Sequence, residues 1–151
     1  MKRLNLPTYS FTVKSEGARQ YIFDNIRRKY VALTPEEWVR QHFIRFLVSK
    51  KSCPPSLIAI EKQFRVNKMS RRADILVYSR KARPVMMVEC KAPQVQINQQ
   101  VLDQLALYNL RFNVSYLVLT NGMVHYCCFL DAGEGSYRFV EDIPDYSLIG
   151  D

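Results

Sequence analysis

No apolar run in this chain approaches the roughly 18 residues needed to span a bilayer, and Met1 to Ser10 has no continuous apolar stretch of the secretion-signal kind. A soluble, cytoplasmic protein is therefore expected. Cys53, Cys90, Cys127 and Cys128 form no C-x-x-C pair and are too sparse for a disulfide scaffold, which leaves reduced, mostly buried thiols. There is no G-x-x-x-x-G-K-[ST] phosphate loop and no G-x-S-x-G elbow, so no ATP-driven motor of its own is expected and a serine hydrolase of that type is disfavoured. Internal repeats and low-complexity tracts are missing too, which removes solenoids and flexible linkers.

Acidic residues are the minority charge: 14 Asp and Glu stand against 22 Lys and Arg, a net charge of +8. The excess concentrates in Arg27-Arg28-Lys29, Lys50-Lys51, Lys62 to Arg72 and Arg80 to Arg83, which suits a polyanionic partner such as DNA. The plainer account of such runs is a solvated basic surface. With 48% apolar residues, 151 residues suffice for one domain with its own core, expected over 1–151 and centred on about 34–130.

Along the chain, Ser15 to Tyr30 reads as a short helix with Ala18, Tyr21, Ile22 and Ile26 on one face. Thr34 as cap, Pro35 in the first turn and Glu37 at the capping-box position predict a second helix. Its apolar face, Trp38 to Leu47, carries it to about Ser49. Leu57 to Val66 follows as a strand, basic Asn67 to Arg72 as a turn, and Ala73 to Ser79 with Pro84 to Cys90 as a hairpin. Gln96 to Phe112 has helical apolar spacing. Ser115 to Thr120 and Met123 to Leu130 are then strands joined by an Asn121-Gly122 type I′ turn, with a last strand at Tyr137 to Val140 and an acidic surface tail. The strand, helix, strand order from Pro84 to Thr120 requires a parallel crossover. The expected fold is α/β, a mixed sheet flanked by helices.

Residues two apart on a strand share a face, so Glu89 and Lys91 project together while Cys90 turns into the core. If Ser79 faces Pro84 across the four-residue loop, Asp74 lies directly opposite Glu89. Opposed Cβ atoms are about 5 Å apart, within reach of one shared hard cation. A magnesium ion on Asp74, Glu89 and the Cys90 backbone carbonyl would polarise a phosphoryl oxygen and acidify a bound water, and Lys91 would orient that water. The residues point to phosphodiester hydrolysis, with the basic clusters holding the backbone.

Asp74, Glu89 and Lys91 on a hairpin followed by a helix resemble the PD-(D/E)XK nuclease signature, with Ala73 where a proline usually precedes the aspartate. Arg72-Ala73-Asp74-Ile75 with Val88-Glu89-Cys90-Lys91-Ala92-Pro93 resembles, more narrowly, the N-terminal nuclease domain of the type I restriction enzyme motor subunit. Gln104 and Tyr108 match the Q-x-x-x-Y motif of that family. The resemblance implies a restriction-endonuclease-like core and magnesium-dependent cleavage of DNA, with manganese able to substitute. It further implies roles for Gln104 and Tyr108 beside the active site, an upstream helical glutamate (Glu37 or Glu36), and a helicase or specificity subunit as partner.

Each of these residues has a plainer reading. Tyr108 is equally a core residue with Gln104 on its flank, Glu36 and Glu37 equally serve the helix start, and Glu61 is a solvated strand residue or a support behind the ligands. His42 and His125 read as packing residues, since no further ligands complete a tetrahedral shell around either. Against the nuclease stands a module on the same fold that binds DNA or protein without cutting.

Overall fold

The computed structural model describes all residues from Met1 to Asp151. Its first element is not the expected helix. Val13–Glu16 (β1), Arg19–Asp24 (β2) and Lys29–Ala32 (β3) form a three-stranded antiparallel sheet. Gly17, at φ +63°, turns the chain between β1 and β2, and Arg28, at φ +55°, sits between β2 and β3. Ala18 and Ile26 of the expected helical face lie in turns, and in β2 a strand alternation prevails: Ile22 and Asp24 are buried while Tyr21 and Phe23 are half-exposed. Asp24 Oδ1 accepts the amides of Ile26 (2.8 Å) and Arg27 (2.9 Å), a side-chain turn that ends β2.

Helix α1, Pro35–Lys50, starts as its sequence requires: Thr34 is extended and its hydroxyl accepts the Glu37 amide at 3.0 Å. The reciprocal arm of the capping box is not made, because the Glu37 carboxylate binds Arg27, Arg40 and Gln41 instead. A short 3-10 turn, Pro55–Leu57, leads into a six-stranded sheet in the order β4-β5-β6-β7-β8-β9. These strands are Ile58–Val66 (β4), Met69–Tyr78 (β5), Pro84–Cys90 (β6), Tyr116–Thr120 (β7), His125–Asp131 (β8) and Ser136–Val140 (β9). Helix α2, Gln99–Phe112, is capped by Asn98, whose side chain accepts the Val101 amide, and it makes the crossover between the parallel pair β6 and β7. All other neighbours in the sheet are antiparallel, so the sheet is mixed.

Helix α1 lays Val39, Phe43 and Leu47 in a core with Ile75, Val77, Met86, Val88, Cys90 and Val118. Leu105 of α2 shares a second core with Leu76, Met87, Leu117 and Leu119. Alternate residues of β5, β6 and β7 thus enter different cores, which is why those strands are apolar almost throughout. The result is the restriction-endonuclease-like arrangement of a mixed sheet between helices.

Two turns differ from expectation. Asn67 and Lys68, both at positive φ, make the two-residue turn between β4 and β5, so Met69 to Arg72 is strand rather than turn. The β7–β8 connection spans four residues, Asn121 to Val124, with only Gly122 at positive φ. Asn121 instead accepts the amides of Met123 and Val124 through its side chain, and a Cβ on Gly122 would meet Leu4 at 2.8 Å. The acidic tail is not wholly superficial either. Tyr146 opens the four-residue helix α3, Tyr146–Ile149, is 1% exposed, and its hydroxyl donates to the Tyr78 carbonyl at 2.8 Å.

Candidate active site

The β5–β6 register brings the acid pair level. Ile75 pairs with Val88, so the next residues along the two strands are Asp74 and Glu89, as counted from the sequence. The hairpin end is irregular: Tyr78, not Ser79, pairs with Pro84, and a bulge absorbs the shift between Val77 and Tyr78. Glu89 and Lys91 do project together, with Nζ and Oε1 3.4 Å apart, while Cys90 is fully buried between them. Past the end of β6, the Lys91 amide donates to the Thr120 carbonyl at 2.8 Å, which ties the site to β7.

Asp74 does not face open solvent. Its Oδ2 accepts the Cys90 amide at 2.8 Å and its Oδ1 accepts Nη2 of Arg40 at 2.9 Å. Arg40 reaches it from α1 and is itself almost entirely buried, with Nη1 on Glu37 (3.0 Å) and Glu61 (2.8 Å) and Nη2 on Glu36 (3.3 Å). Its Nε is the one buried side-chain polar atom without a partner. A second guanidinium, Arg27, binds Asp24 at 2.6 Å and Glu37 at 3.1 Å, and Arg72 binds Glu61 at 3.1 Å. A network of five carboxylates and three guanidiniums therefore stands beside the strand ends, with Arg40 at its centre.

The electrostatics follow from that crowding. Burial pushes the Glu89 carboxyl up to about 8, Asp74 adds to the rise, and Lys91 only partly opposes it. Burial also raises Asp74, against the pull of Arg40 and the Cys90 amide. Glu36 rises through burial and then through Asp74. Glu61 goes the other way: burial would raise it, but Arg40, Arg27 and Arg72 together hold it below the usual carboxylate range. Arg40 is held as a cation more firmly than a free guanidinium, because the carboxylates around it outweigh its burial.

The two glutamates of α1 occupy different positions. Glu37 is 7% exposed and wedged between Arg27 and Arg40, whereas Glu36 is exposed and lies within electrostatic reach of Asp74 and Lys91. Gln104 is exposed on α2. One turn on, Tyr108 packs edge-on against Phe64, with ring centroids 5.3 Å apart, and its hydroxyl accepts Nε of Arg71 at 3.1 Å. No hydrogen bond links Gln104 or Tyr108 to Asp74, Glu89 or Lys91. His42 packs among Phe11 and Trp38 and bonds the Trp38 carbonyl. His125 bridges Thr120 and the Asn5 carbonyl.

No three or more His, Cys, Asp or Glu side chains are disposed to hold a metal, and both Asp74 oxygens already accept hydrogen bonds. Arg27 and Arg40 were not singled out by the sequence. The available signal was the spacing of Glu36 and Glu37 four and three residues before Arg40, which pairs them on one helical face but reads equally as a solvated flank.

The profile of the family described as type I restriction enzyme R protein N terminus matches residues 35–144. No curated protein matches the chain. Among solved structures, a fragment described as an HsdR subunit of a type I restriction enzyme from Vibrio vulnificus YJ016 superposes with a TM-score of 0.55 at 22% identity. The match covers 78% of this chain and 24% of that one, so this chain spans about a quarter of the length of the relative. At that identity the likeness concerns the fold.

Proposed function

The chain belongs to the family of type I restriction enzyme R protein N termini, and from that premise we propose that it is a DNA-binding module on a nuclease fold, closed to metal in the state described. The observation that supports this reading is Arg40. Its guanidinium sits among Glu36, Glu37, Glu61 and Asp74 and supplies the positive charge that a catalytic cation would otherwise bring. A guanidinium neutralises carboxylates but provides neither an open coordination position nor an acidified water. The net charge of +8 supports binding to a polyanion.

One observation favours a second reading, a magnesium-dependent DNA endonuclease in which manganese can substitute. Asp74 in the middle of β5 lies level with Glu89 near the end of β6, Lys91 follows just past that end, and Lys91 keeps 29% of its side chain exposed. A module that only binds DNA has little need of that set. On this reading Asp74, Glu89 and the Cys90 carbonyl are the metal ligands. Lys91, Gln104, Tyr108 and a glutamate of α1 support cleavage, and a helicase or specificity subunit is the partner that delivers DNA.

Cleavage of supercoiled plasmid in magnesium, in manganese and in chelator, with Lys91→Ala in parallel, separates the two readings. Salt-sensitive DNA binding without nicking in any metal is the outcome expected of the binding module. Metal-dependent nicking that Lys91→Ala abolishes, with its melting curve unchanged, establishes the endonuclease instead.

A further inference from the structure

Glu61 adopts φ +52° in the middle of β4, a left-handed conformation that a β-strand residue rarely takes. The kink interrupts the ladder between Ile60↔Ile75 and Lys62↔Ala73. It turns the Glu61 carboxylate inward to Arg40, and it breaks the alternation that would send neighbouring side chains to opposite faces. Ile60, Glu61, Lys62 and Gln63 consequently all line one groove of about 470 Å³, closed on its other sides by Arg27, Lys29 and Arg72.

That groove carries four cationic side chains against one carboxylate. The adjoining hollow of about 620 Å³ over Glu36, Glu37 and Arg40 shares Arg27, Lys29 and Glu61 with it, and there three cations balance three carboxylates. The local charge thus runs from neutral at the carboxylate site to strongly positive one strand away. Lys29 and Lys62 are exposed and form no ion pair, while Arg72, paired to Glu61, is still 58% exposed. Here β3, from the small sheet, and β4 and β5, from the large one, deliver them to one wall.

We propose that Lys29, Lys62 and Arg72 form a track for the phosphate backbone of duplex DNA, laying one strand across the groove beside the Asp74–Glu89 pair. This rests on the DNA-binding reading and adds where the duplex lies. The contacts are to phosphates, so binding is independent of sequence and each contact releases counterions.

Fluorescence anisotropy of a labelled duplex, titrated in chelator across a series of salt concentrations, tests the track. Lys29→Gln/Lys62→Gln leaves every ion pair of the network intact, and melting curves verify its fold. Loss of two phosphate contacts is expected to make the slope of log K against log salt shallower by about 1.8. Lys81→Gln/Arg83→Gln, in the β5–β6 loop at the far end of the hairpin, is expected to leave the slope unchanged. An unchanged slope in the groove variant, or an equal loss in both variants, overturns the track while DNA binding by the parent chain stands. Absence of salt-sensitive binding by the parent chain overturns the track and the DNA-binding reading together.

Discussion

Replacing Arg40 by methionine keeps most of the aliphatic stem and removes the guanidinium from the centre of the acid network. Glu37 would retain Arg27 and Gln41, and Glu61 would retain Arg27 and Arg72, but Asp74 would lose its only bonded cation while keeping the Cys90 amide. Breaking a buried ion pair from one side costs roughly 3 to 5 kcal/mol. With a single carboxylate stranded, the low end, about 3 kcal/mol, is expected at neutral pH. For a chain of this length that is a fall of about 6 to 12 °C in Tm. The loss is expected to shrink on acidification, because a stranded Asp74 takes up a proton. The vacated space would be lined by Glu36, Glu37, Glu61 and Asp74, so magnesium is expected to raise the Tm of Arg40→Met more than that of the parent chain, reversibly by chelator. A loss under about 1 kcal/mol, or the same magnesium effect on both proteins, would refute the reasoning that Arg40 occupies the place of a cation.

Other expectations are simpler to check. The Glu89 carboxyl, raised from 4.5 to about 8, stays protonated in the folded chain where the unfolded chain has already ionised. Stability is therefore greatest below pH 4.5 as far as this group is concerned and declines as pH rises toward about 8. Glu89→Gln is expected to flatten that decline in a series of melting curves, and an unaltered slope would show that Glu89 is not the group responsible. Cys90→Ala removes one buried heavy atom from the core beside Val88 and Val118, so chemical denaturation is expected to show a loss of about 1 kcal/mol with DNA affinity unchanged. A fall in affinity as large as the fall in stability would mean that Cys90 shapes the site and not only the core.

How much of the site could be read in advance depended on how local the encoding was. The pairing of Glu89 with Lys91 needs only the two-residue period of a strand, and the level of Asp74 with Glu89 needs only a hairpin count. That count succeeded although the turn end slips by one pairing, because the bulge between Val77 and Tyr78 takes up the difference. The N-terminal sheet was misread because Ala18, Tyr21, Ile22 and Ile26 have helical spacing, although Ala18 and Ile26 fall in the turns that flank β2. Gly17 and the Asp24 side-chain turn decide for the strand. Asn121-Gly122 has the composition of a type I′ turn, yet the Asn121 side chain caps the loop amides and a longer connection results. The I′ geometry falls to Asn67-Lys68, whose lysine gives little sign of it.

The order of strands around one crossover helix, the two apolar faces of the central strands, and the level of Asp74 with Glu89 and Lys91 were all legible in the sequence. Periodicity and hairpin geometry are properties of short stretches, and burial on one face leaves a mark in every second or every third and fourth residue. Only the tertiary structure decided what Asp74 touches. Arg40 lies 34 residues away and in sequence looks like any helical arginine, because a charge carries no local record of its partner. That partner is fixed when α1 packs against β5 and β6.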